Sequence, residues 1–164
     1  METAERIVEA YVRYVKHWAT IANIKCANNQ EIDLLAIGPA PDERYHIEVC
    51  GSADPSFRTL GGRGLAEFIT KKFHSPPVAK RLAEYGFCEG TYKKLIVHWD
   101  WAPEAEAAAG ENGVTLWSLP ALLAEMACLV SKRTEAFPDD TLRTLQILHR
   151  AGVLAIGKED AKEK

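Results

Sequence analysis

Apolar positions recur every three or four residues from Ala4 to Trp18, at Ile7, Val8, Tyr11, Val12, Val15 and Trp18, and this period predicts a helix with one buried face. The period then shortens. Residues 19 to 26 (ATIANIKC) and 31 to 37 (EIDLLAI) are β-prone runs joined through Ala27-Asn28-Asn29-Gln30, where asparagine tolerates the positive φ of a hairpin turn. A third strand is expected from Tyr45 to Cys50, after a loop whose prolines, Pro39 and Pro41, keep the second strand from continuing.

The stretch Gly51 to Gly64 holds four glycines and one proline and reads as a loop ahead of a helix from Leu65 to Phe73. His74-Ser75-Pro76-Pro77 breaks that helix, and Val78 to Tyr85 forms another that Gly86 closes. Lys94 to Trp99 (KLIVHW) has the composition of a buried strand. After it come a helix from Pro103 to Ala109, a strand from Val114 to Trp117 and a helix from Pro120 to Val130. A last helix, Asp140 to Arg150, has Asp139 as its cap. The tail Gly157 to Lys164 is charged, lacks aromatics and is expected to be disordered. This order predicts an α/β fold, a mixed central sheet flanked by helices, in a single domain over residues 1 to 156.

Composition narrows the classes. With 164 residues, 47% of them hydrophobic, the chain has enough apolar material for one sizeable core. No run approaches the roughly 18 apolar residues of a membrane span, and the opening METAERIVEA lacks a basic start followed by an apolar block. A cytoplasmic protein without membrane attachment is therefore expected. Cys26, Cys50, Cys88 and Cys128 are too dispersed for a C-x-x-C zinc pattern or a dense disulfide framework, so free, mostly buried thiols are expected. The net charge of -3 gives no global basic footprint, and any contact with nucleic acid would rest on a local patch.

Two carboxylates stand out. Asp33 lies in the apolar run IDLLAI and Glu48 in HIEVC, and a charge inside an apolar strand is costly without a partner or a role. Neighbouring strands present alternate side chains to one face, so two such acids can supply hard oxygen ligands to one divalent cation.

Glu5-x-x-Val8-x-x-Tyr11-Val12, Gln30-Glu31-Ile32-Asp33-Leu34-Leu35-Ala36 and His46-Ile47-Glu48-Val49-Cys50 together resemble the opening helix and the two motif strands of the restriction-endonuclease-like, PD-(D/E)XK, nuclease superfamily. Leu95 to Leu119 resembles the strand, Ala-rich helix and short strand that close the fold in Mrr-type restriction enzymes. The resemblance implies a restriction-endonuclease-like αβββαβ core and Mg²⁺-dependent hydrolysis of phosphodiesters, with DNA as the nucleic-acid partner. It makes Asp33 and Glu48 the metal-binding carboxylates and Glu5 a supporting acid, with Glu9 one turn further on as the alternative.

The motif lysine is missing, and Cys50 stands in its place. A thiol cannot supply the cation that a lysine holds near water and phosphate. Three explanations stand: a degenerate member that has lost cleavage, a lysine migrated to Lys25 or to Lys71 and Lys72, or a role for Cys50 itself, which Mg²⁺ disfavours as a ligand. The degenerate case would leave an inactive nucleic-acid-binding or protein-interaction subunit.

Other candidates have plainer readings. His46 shares a strand face with Glu48 and Cys50, and packing explains it without a zinc site. Arg58 and Arg63 could cradle a phosphate or sit in a solvated loop, and Trp99 and Trp101 are expected in the core rather than stacked on bases. Lys71, Lys72, Lys80, Arg81, Lys93 and Lys94 form either a basic rim or an ordinary solvated face. The apolar residues of the last helix suit either a homodimer interface or a cap on the core.

Overall fold

A computed structural model describes residues 2–40, 42–50 and 62–154, excluding the side chains of residues 62 and 63. The expected loop around Arg58, the side chain of Arg63 and the tail from Gly157 lie outside this description. The elements run α1 (Thr3–Tyr14), β1 (Ala19–Lys25), β2 (Glu31–Ile37), β3 (Arg44–Cys50), α2 (Gly62–Phe73), α3 (Pro76–Glu84), β4 (Lys93–His98), α4 (Pro103–Glu111), β5 (Val114–Ser118), α5 (Leu119–Lys132) and α6 (Asp140–Arg150). No described helix is long and apolar enough to cross a membrane.

The fold is α/β, with one five-stranded mixed sheet in the order β1-β2-β3-β4-β5. The first two pairings are antiparallel and the last two parallel. Antiparallel neighbours need only short turns, whereas the parallel pairs need helical crossovers, and α2 with α3, then α4, provide them. At the β1–β2 turn, Asn28 and Asn29 both adopt positive φ, and the Cys26 N–H donates to the Gln30 carbonyl at 2.9 Å.

Alternation sorts the side chains of β3 and β4 cleanly. Tyr45, Ile47, Leu95 and Val97 enter the core beneath α1, α5 and α6. His46, Glu48, Cys50 and Ile96 face the other way, towards α2, where Cys50 and Ile96 join Leu65, Ile69 and Phe73. β2 and β3 are buried on both faces, while β1 forms an open edge with Ile21 exposed.

Three expectations need correction. α1 stops at Tyr14, because His17 adopts a positive φ and turns the chain, so Trp18 stacks on Tyr45 with ring centroids 4.2 Å apart. Trp99 is 44% exposed, just past the end of β4, while Trp101 packs against the α2–α4 cluster. The cysteines are all free, but Cys88 and Cys128 are exposed and only Cys50 is buried.

Candidate functional site

The β2–β3 ladder ends with Leu34 opposite Ile47, and one more step of that register sets Asp33 across from Glu48. There the strands part. The Asp33 carboxylate takes over the hydrogen bonding, its Oδ2 accepting from the Val49 N–H at 2.8 Å. That bond fixes the Asp33 rotamer and leaves Oδ1 aimed at the gap between the strands.

Lys72, in the last turn of α2, enters that gap. Its Nζ lies 3.3 Å from Asp33 Oδ1 and forms an ion pair with Glu48 Oε2, so one ammonium bridges both acids. Helical spacing explains its aim: Ile69 and Phe73, on either side of it along the helix, are buried against the sheet face that carries Glu48, and their packing carries Lys72 over the strand ends. Lys71, one position earlier, points outward and is exposed.

Glu48 is completely buried, and both its oxygens are engaged. Oε1 lies 2.7 Å from His46 Nε2, and Oε2 faces Lys72. Burial, then the proximity of Glu48, raises the Asp33 pKa to about 7 against the pull of Lys72. Burial likewise raises Glu48 to about 7, with Lys72 and Asp33 opposing the rise. For Lys72, burial opposes the charge, but the two carboxylates outweigh it and hold the ammonium protonated well above its ordinary range.

The remaining residues singled out in the sequence have definite places. Glu5 accepts the Glu2 N–H at 3.0 Å, which serves the start of α1. It also belongs to the site's field: burial raises its pKa and the Asp33 charge adds to the rise. Asn23, with its amide oriented to suit its neighbours, donates to Glu5 Oε2 at 3.2 Å and to Glu31 Oε1 at 3.1 Å. Glu9 instead accepts from the Thr20 hydroxyl at 3.0 Å. Lys25 does reach across the hairpin, but it pairs with its cross-strand partner Glu31 and stays largely exposed. Cys50 is buried beside the acids, and burial followed by the Asp33 and Glu48 charges pushes its thiol up to about 12. It therefore stays a neutral thiol at physiological pH.

Asn23 carries no signal in the sequence taken alone, and His46 does more than pack, since its Nε2 lies 2.7 Å from Glu48 Oε1. The register would have drawn attention to Asn23, because Ala22 pairs with Leu34 and Ile24 with Ile32, leaving Asn23 level with Asp33. A cleft of about 230 Å³ opens beside Asp33, lined by Asn29, Gln30, Glu31, Lys71, Lys72 and Val78.

Two buried carboxylates, each costly to charge there, form the kind of oxygen donor set a divalent cation would relieve, and Mg²⁺ is commonly held by one or two carboxylates plus waters. An ion there would share Asp33 Oδ1 and Glu48 Oε2 with the Lys72 ammonium. No group of three or more His, Cys, Asp or Glu side chains converges for a metal among the described residues, so its other ligands would be water and substrate oxygens. In comparisons with known proteins, no family model, curated protein or solved structure matched this chain.

Proposed function

We propose that the chain is a restriction-endonuclease-like protein that binds DNA and hydrolyses phosphodiesters with Mg²⁺ held by Asp33 and Glu48, using Lys72 in place of the absent motif lysine. One observation carries this reading. The Lys72 ammonium, from α2, contacts both acids beside a position where β3 offers only the Cys50 thiol. The helix followed by three antiparallel-paired strands, then a crossover to a parallel strand, supports the finer fold assignment.

A bound Mg²⁺ would polarise a phosphate oxygen and lower the pKa of an attacking water. The chain's own groups do the rest. The Val49 N–H locks Asp33 so that Oδ1 faces the site. Lys72 cannot serve as a base, since it keeps its proton at physiological pH, but it supplies positive charge to a phosphate that gains negative charge during in-line attack. The adjoining cleft, with Lys71 on its rim, gives the phosphate backbone a route to the acids.

The same ion pair also suits a second reading, in which Lys72 permanently neutralises the acids and the fold serves as a silent binding subunit. Incubation with supercoiled, linear and branched DNA and with RNA, in Mg²⁺ or Mn²⁺, separates the two. Cleavage lost in Asp33→Ala and in Lys72→Ala is the expected result. Cleavage that persists in Asp33→Ala removes these carboxylates from the mechanism, and a wild type that neither cleaves nor binds Mn²⁺ by calorimetry leaves the silent subunit.

A further inference from the structure

His46 is fully buried on β3, two residues before Glu48 on the same strand face. Its ring packs 4.6 Å from that of Phe73 and 6.2 Å from that of Tyr92, centroid to centroid. Nε2 is 2.7 Å from Glu48 Oε1, and Nδ1 has no hydrogen-bond partner among the described residues. A neutral imidazole carries one proton, on one of its two ring nitrogens. On Nδ1, that proton would be a buried donor without an acceptor, and the Nε2 lone pair would face a carboxylate. On Nε2, it donates to Glu48, and the only orphan is a lone pair, the cheaper group to leave unmet.

We propose that His46 is a positioning residue: its Nε2–H holds Glu48 Oε1 so that Oε2 stays turned towards the cation position it shares with Asp33. Without that donor, a buried carboxylate would have one oxygen unsatisfied and a rotamer free to turn away from Lys72. The geometry stands on its own, and only its importance for hydrolysis rests on the proposed function. Partners that orient metal ligands in this way commonly change metal affinity by about ten- to a hundredfold when lost.

The test uses ¹⁵N-labelled full-length protein and the variants His46→Gln, which keeps an N–H donor, and His46→Leu, which keeps the bulk and removes the donor. The His46 ring signals at pH 7 should report a protonated Nε2 and a bare Nδ1. The Lys72 ammonium signal, slowed in its exchange with water by the two carboxylates, should survive in wild type and His46→Gln and broaden away in His46→Leu. Mn²⁺ affinity should drop about tenfold or more in His46→Leu and recover in His46→Gln. A proton on Nδ1, or a Lys72 signal indifferent to His46→Leu in a variant that melts like wild type, overturns the proposal. Both nuclear signatures in a wild type that binds no Mn²⁺ support His46 and sink the metal reading instead.

Discussion

Lys72→Met should change stability in a way that depends on pH. Lys72 Nζ is 3.3 Å from Asp33 Oδ1, which at an effective dielectric constant near 20 amounts to an attraction of about 5 kcal/mol before desolvation is set against it. Removing one member of such a buried group typically costs about 3–5 kcal/mol if the partners keep their charges. These partners have another option. Asp33 and Glu48 already titrate near 7 with Lys72 present, so without it one of them retains a proton to higher pH. Near pH 6 the loss should be small. Above pH 7 the folded variant keeps a proton that its unfolded chain lacks and the folded wild type increasingly releases, so its stability falls relative to wild type with a slope that approaches about 1.4 kcal/mol per pH unit. Between pH 7 and 9 the gap should widen by up to roughly 2.3 kcal/mol, by the same relation applied to a wild-type group that titrates near 7. Urea unfolding of both proteins at pH 6, 7, 8 and 9, with the exposed neighbour Lys71→Met as control, measures it. A stability difference constant to within about 0.5 kcal/mol across that range would show that Lys72 does not hold the acids' charge.

Two further outcomes follow from the same burial. The Asp33 pKa is raised, so this group favours the fold below the unfolded-state value of 3.8 and progressively loses that contribution as pH rises to about 7. Asp33→Asn keeps an acceptor for the Val49 N–H without the charge, and its stability relative to wild type should improve by roughly 2–3 kcal/mol between pH 5 and 8 in thermal melts. A variant no more favourable at pH 8 than at pH 5 would contradict that shift. Iodoacetamide at pH 8 should label the exposed Cys88 and Cys128 while sparing the buried Cys50, read by mass spectrometry of the native protein. Early labelling of Cys50 would mean that the α2 face opens readily.

Much of the architecture was legible along the chain because its cues are local. Asn28 and Asn29 announced the first turn, the double proline separated α2 from α3, and Asp139 caps α6 by accepting the Leu142 N–H at 3.0 Å. Period-two alternation in HIEVC was enough to place His46, Glu48 and Cys50 on one face. The end of α1 was misread because an apolar Trp18 suits a helix stripe and a strand-flanking stack equally, and only the turn at His17 separates them. Trp99 was misread for a similar reason: apolar composition does not say where a strand ends.

The sequence by itself determined that two acids sit within apolar strands and that a cysteine, not a lysine, stands two residues after Glu48. The tertiary structure decided which cation meets them. Lys25, eight residues from Asp33, is captured by Glu31 through strand register, while Lys72, 39 residues away, is delivered by the packing of α2 on the sheet. Periodicity fixes the face of an element on which a side chain lies. The convergence of two elements depends on how their buried faces pack, and that is a property of the whole core.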